Sequence, residues 1–144
     1  MSTLTLTRPM ATLDQRRAAH AWAAIAAAKA LERSDRDKFG IHAKKLPTRI
    51  MASGLGQALA FLLAKKYAPL LVQTINHWVL KREPFPRDNK ELGRAAALVE
   101  TIVQGDATSM RRHTAETLAY LQWLIRFAEA EGLTDKVDVE GGNP

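Results

Sequence analysis

From Thr12 to Gly132, apolar side chains recur three and four residues apart in one segment after another, and no apolar–polar alternation persists beyond the N-terminal arm. That period marks helices that bury a stripe, and its dominance leaves no material for a sheet. Thr12 followed by Gln15 forms a capping-box signature, and it opens an alanine-rich helix to about Arg33 with Ala18, Trp22, Ile25 and Ala26 as its stripe. The charged, glycine-containing run SDRDKFGIHAKK (34–45) reads as a loop or linker. Pro47 then suits the first turn of a second helix, with Ile50, Gly54, Leu55, Ala58, Leu59 and Leu62 inward and an end near Tyr67.

Pro69 starts a third helix to about Arg82 with Leu71, Ile75, Trp78 and Val79 inward, and REPFPRD breaks it. Asp88 with Glu91 predicts a capped fourth helix to about Gln104, stopped by Gly105. The last helix starts at Asp106 or Ser109 and ends at Gly132, with Met110, Leu118, Leu121, Leu124, Ile125 and Ala128 along its stripe. The expectation is an all-α, compact bundle of about five helices in a single domain over 12–132. It is flanked by a flexible arm over 1–11 and an acidic tail over 133–144, expected to be disordered.

A length of 144 residues suits one domain with a modest core. The chain has no cysteine, which removes disulfides, cysteine-ligated zinc and thiolate nucleophiles and fits a reducing compartment. The first residues lack the basic-then-apolar build of a signal peptide. The stretch KKLPTRIMASGLGQALAFLLAKK (44–66) approaches membrane-spanning length, yet burying Arg49 in lipid would cost roughly 2.5–3.5 kcal/mol. The chain is expected to be soluble and cytoplasmic.

Charge is divided unevenly along the sequence. Residues 1–66 hold twelve Lys/Arg and four Asp/Glu, whereas residues 67–144 hold nine and eleven. One-sided positive charge points to a polyanion partner. The candidate contacts are Arg16, Arg17, Lys44, Lys45, Arg49, Lys65, Lys66, Arg111 and Arg112. Residues 41–69 carry five of these and no acidic residue, so phosphates have no internal competitor there. The alternative is ordinary solvated charge, with Arg112 pairing to Glu116.

Catalytic signals are sparse. The four histidines, His20, His42, His77 and His113, show no i, i+4 metal pair, and His20 and His77 suit partly buried positions. No cofactor or metal is expected. Gly54 and Gly56 lack the strand and further glycines of a phosphate loop, so both are expected to mark a close packing contact. Trp22, Trp78 and Trp123 each fall on an apolar stripe and are expected to pack in the core. RDKFGIH sets Arg36 ahead of His42 in the loose manner of some helical ribonucleases, but its expected loop conformation argues against that enzyme class.

The same stretch carries a resemblance. Lys45-Leu46-Pro47, then Gly54-Leu55 through Ala60-Phe61-Leu62, then Trp78, are preceded by the alanine- and arginine-rich Gln15–Ala30 and followed by Leu118–Phe127. This order resembles the small subunit of type III-B CRISPR effector complexes, the Cmr assembly, over most of residues 12–130. The resemblance implies an all-α, non-catalytic subunit that stacks in several copies into the minor filament of an RNA-guided antiviral complex. It further implies, as partners, a backbone subunit, a large polymerase-like subunit, guide RNA and target RNA, with Lys45 and its basic neighbours facing the RNA. A small ribonuclease using Arg36 and His42 and a free-standing protein-interaction bundle are the competing readings.

Overall fold

The structure, a computed structural model, describes residues 11–135. Six α-helices and no strand occur among the described residues: α1 (Leu13–Lys29), α2 (Arg33–Ser53), α3 (Leu55–Lys65), α4 (Pro69–Lys81), α5 (Ala97–Gln104) and α6 (Ala107–Ala130). A short 3-10 turn, Asn89–Leu92, lies between α4 and α5. The all-α expectation holds. Of the expected arm (1–11) and tail (133–144), residues 1–10 and 136–144 lie outside the described residues, while Leu133 and Thr134 are buried.

The bundle is built around α4. Its buried residues include Leu70, Leu71, Val72, Ile75, Trp78 and Val79, together with the polar Thr74, Asn76 and His77. A helix buried on nearly every side belongs at the centre, and α1, α2, α3, α5 and α6 all touch it. Against this axis α1 and α6 run side by side in the same direction, since the contacts Arg17–Glu116, His20–Tyr120 and Trp22–Phe127 ascend together along both helices. One continuous core results.

Capping signals are realised where the sequence places them at α1 and α6. Thr12 and Gln15 form the reciprocal capping box, at 3.0 and 2.8 Å. Asp106 accepts from the Ser109 N–H at 2.8 Å.

The second helix departs from expectation. The run 34–45 is helical, not a loop, and Pro47 lies in the interior of α2 rather than in a first turn. A helix-interior proline costs about 3 kcal/mol. Here it is outweighed by burial: Phe39, Ala43, Leu46 and Ile50 are spaced three and four apart straight through the proline, each at 3% exposure or less.

Glycines explain the rest of the difference. Gly40 is the position of close approach, because a Cβ there would sit 2.0 Å from the Leu133 carbonyl oxygen. α2 thereby seats on the chain following α6, where Leu133 and Thr134 are buried. The expected packing glycines behave otherwise. Gly54 has φ +87° and nothing within 4 Å, so it ends α2 by backbone conformation and splits the expected second helix in two. A Cβ at Gly56 would make only ordinary contact with Ile102, at 3.6 Å.

Two further expectations shift. Asp88 caps the 3-10 turn alone, accepting from the Lys90 N–H at 3.0 Å, and Gly93 at φ +93° stops it; the fourth helix starts only at Ala97. Gln73 and Asn76 of α4 donate to the carbonyls of Gly93, Arg94 and Ala95, pinning this irregular segment to the central helix. The buried face of α1 is His20, Ala21, Ala24, Ile25 and Ala28 rather than the stripe through Ala18, Trp22 and Ala26. In α6 the buried set is Glu116, Thr117, Tyr120, Leu121, Leu124 and Ala128, leaving Met110 exposed.

Candidate functional site

The basic side chains divide into two groups with different surroundings. The first lies on the seam of α1, α4 and α6. Arg17 binds Glu116 through both arms of its fork, Nε to Oε2 at 2.6 Å and Nη2 to Oε1 at 2.8 Å, and also donates to Asp14 at 3.1 Å. The Trp78 indole N–H donates to Glu116 at 2.8 Å, and Arg82 approaches the same carboxylate at 3.6 Å. Burial pushes the Glu116 carboxyl upward, but the hydrogen bonds from Arg17 and Trp78 outweigh it and hold the pKa below its usual value. The Glu116 bond in turn raises the Arg17 guanidinium. Arg16 donates to the Arg82 carbonyl at 2.7 Å and lies 5.8 Å from the Trp78 ring centroid. That contact steadies Arg82, whose φ of +55° ends α4 in the left-handed conformation.

Behind this ion pair sits a chain of neutral polar groups. His20 Nδ1 lies 2.6 Å from the Tyr120 hydroxyl, and its Nε2 lies 3.0 Å from His77 Nδ1. Burial, aided by proximity to His77, drives His20 down to about 3. Burial raises Tyr120 and lowers His77. The seam is therefore closed: its charges face each other and its histidines are held uncharged.

The second group lies on α2 and the adjoining α3. Lys38, His42, Lys45 and Arg49 form one stripe of α2, spaced four, three and four residues apart. His42 is driven down to about 4, first by burial and then by Arg49, Lys45 and Lys38 in turn. All three neighbouring charges named there are positive, and no carboxylate bonds Arg49 among the described residues. Arg49 instead donates from Nη1 to His42 Nδ1 at 3.1 Å and lies 4.6 Å from the Phe61 ring centroid. His42 stacks on Tyr67 with centroids 4.5 Å apart and planes 9° from parallel. This surface pairs concentrated positive charge with accessible rings, the composition that suits phosphates and bases.

The remaining candidates stand apart from both clusters. Lys44 is exposed on α2, and Lys65 and Lys66 are exposed at the end of α3. Arg111 and Arg112 are exposed in the first turns of α6, where Arg111 reaches the Thr108 hydroxyl at 3.4 Å. Glu116 bonds Arg17, Trp78 and Arg82; Arg112 is not its partner. Sequence reasoning missed Phe61 as a neighbour of Arg49, and Lys38 and Tyr67 as neighbours of His42. The i, i+4, i+7, i+11 spacing from Lys38 to Arg49 is the signal that would have found the stripe, hidden because half of it was assigned to a loop.

Other chemistry is weakly represented. Trp78 is core, as expected. Trp22, however, is 53% exposed with its ring edge-on to Phe127, and Trp123 is part-buried and donates to Asp14 at 3.0 Å. Trp22 lines an open groove of about 190 Å³ with Ile25 and Lys29, and Trp123 packs part-buried against the edge of the core. Arg36 and His42 do lie on a helix, contrary to the loop expectation. Their spacing of six nevertheless turns them about 120° apart. Arg36 lines a cleft with Leu133, while His42 stacks on Tyr67. Among the described residues no group of three or more His, Asp or Glu could hold a metal ion, and no helix is long and apolar enough to cross a membrane.

A family model described as CRISPR-associated protein (Cas_Cmr5) matches residues 13–131, from the start of α1 to just past the end of α6. No curated protein matches the chain significantly.

Proposed function

We propose, from the premise that the chain belongs to the CRISPR-associated Cas_Cmr5 family, the small subunit of the type III-B Cmr effector complex, that it holds target RNA against the guide through the α2–α3 surface. The observation that carries this reading is that, among the described residues, no carboxylate pairs with Lys38, Lys45 or Arg49 along the stripe. A cation already bonded to a carboxylate gains little from a phosphate, whereas one without an acidic neighbour gains the full charge-assisted contact. On that criterion Lys45 and Arg49 are the principal contacts; Lys44, Lys65, Lys66, Arg111 and Arg112 are outlying ones. Arg16 and Arg17 belong to the internal seam and serve the fold.

In this reading the subunit is a scaffold. Copies stack into the minor filament next to the backbone subunit and its guide RNA, and the backbone and large polymerase-like subunits carry out cleavage and signalling in the cytoplasm. The division of Arg36 and His42 between two sides of α2 supports a subunit without ribonuclease chemistry of its own. Purified protein is expected to leave RNA intact, with His42→Ala giving the same result.

The test is a Lys45→Glu/Arg49→Glu double variant assembled into the complex. Retention of target RNA is expected to fall at least about tenfold, with a shallower dependence on salt, because phosphate contacts release counterions. A variant complex that assembles and holds target RNA as tightly as the native one overturns the assignment.

A further inference from the structure

We infer that Arg49 and Phe61 form a seat for an unpaired nucleobase, so that the α2–α3 surface engages RNA through a base face as well as through phosphates. This rests on the RNA-binding reading above and deepens it, from a polyanion surface to one that prefers single strands.

The geometry of Arg49 is the starting point. A surface arginine normally samples many rotamers, and fixing it costs entropy. Arg49 is held from two directions: Nη1 donates to His42 at 3.1 Å, and the guanidinium lies 4.6 Å from the centroid of the Phe61 ring. His42 is itself fixed by its near-parallel stack on Tyr67. His42 also stays unprotonated, so its Nδ1 remains an acceptor for Arg49. The result is a flat cation whose position is set before any ligand arrives.

Phe61 supplies the second part. It is 38% exposed on α3 and lies outside the hydrophobic core, with Tyr67 edge-on at 6.1 Å. A phenyl ring that leaves the core open to water on one side, and carries a guanidinium over its face, is poorly explained by packing. Nucleobases stack on both aromatic rings and guanidinium planes, and they do so without regard to sequence. Lys38, four residues before His42, and Lys45, four residues before Arg49, provide charge along the stripe for the phosphates next to such a base. A duplex keeps its bases stacked on each other and offers none to this seat.

The full chain, at low salt, is titrated with a fluorescent single-stranded RNA of about twelve nucleotides and with an abasic ribose-phosphate strand of equal length. Wild-type protein is expected to bind the base-containing strand about five- to tenfold more tightly than the abasic one. Arg49→Lys keeps the charge and removes the plane; Phe61→Leu keeps an apolar side chain and removes the ring. Both are expected to erase that difference, Phe61→Leu while leaving the abasic strand's affinity unchanged, whereas Lys45→Ala weakens both strands equally. If wild type binds the two strands alike, or if Arg49→Lys and Phe61→Leu weaken both in parallel, the base seat is overturned and phosphate binding stands. If wild type binds neither strand but binds an acidic peptide, the RNA reading itself falls.

Discussion

Arg17 and Arg49 are both arginines on core-facing helices, yet they occupy opposite electrostatic worlds. Arg17 meets Glu116 and Asp14 in a part-buried, fork-to-carboxylate pair. Arg49 meets a neutral His42 and the face of Phe61, with Lys45 and Lys38 near enough to depress the same histidine. The α1–α4–α6 seam pairs its charges internally; along the α2 stripe no carboxylate pairs with Lys38, Lys45 or Arg49 among the described residues. A basic residue's meaning thus depends on which carboxylate the fold brings to it, and net charge alone cannot supply that.

The strongest way to break the comparison is to open the seam. Glu116→Gln leaves Arg17 without its charge partner and weakens the acceptor of the Trp78 N–H. A loss of roughly 3 kcal/mol is expected, the low end of the range for breaking a buried pair because Arg17 retains some solvent access. Thermal melting should fall by roughly 10 °C. A midpoint within 2 °C or so of wild type would show that the seam does not hold the bundle together.

Acid supplies the next largest effect. Folded His20 takes up its proton near pH 3, whereas an unfolded histidine does so near 6.5. Between those values the unfolded chain binds more protons, so stability present above pH 6.5 is lost as pH falls through that window. By pH 5 the loss from His20 is about 2 kcal/mol. His77, His113 and His42 are shifted in the same direction and add to it. Denaturant titrations at pH 7.5 and pH 5 check this, and equal midpoints at both would contradict it. Bound polyanion should blunt the contribution of His42 alone, because negative charge offsets Lys38, Lys45 and Arg49; His20, sealed in the seam, should not respond.

The smallest expected effect sharpens the contrast from the other side. Arg49→Ala removes no ion pair among the described residues and should change folding stability by only about 0.5 kcal/mol. Equal destabilisation by Arg49→Ala and Glu116→Gln would erase the distinction between the two regions. Equilibrium unfolding of both variants under one buffer condition decides it.

Legibility in the sequence followed the strength of local signals. The Thr12–Gln15 box and the inward face of α4 are legible in the sequence, and Asp106 is one of the two starts it offers for α6, since each needs only residues within a turn or two. α1 was read as a helix but with its face turned, because an alanine-rich sequence is apolar on every side and leaves the choice to its neighbours. α2 was cut short because glycine and proline are local breakers, and what overrides them is distant: Gly40 lies against Leu133, ninety-odd residues on, and Leu46 is buried beside Pro47. The candidate basic residues were found as a population. Their sorting into paired and open groups was not, since Glu116 lies 99 positions from Arg17.

By itself, then, the sequence determined that this chain is helical, where α1, α4 and α6 begin, that its positive charge is lopsided, and that its motifs run in the order of the Cas_Cmr5 family. Only the tertiary structure decided which glycine is a packing necessity, which tryptophan is core, and which arginines remain open to a ligand. The physical reason is range. Capping and periodicity act across one turn, whereas desolvation, ion pairing and close backbone approach are set by whichever residues the fold delivers from far along the chain.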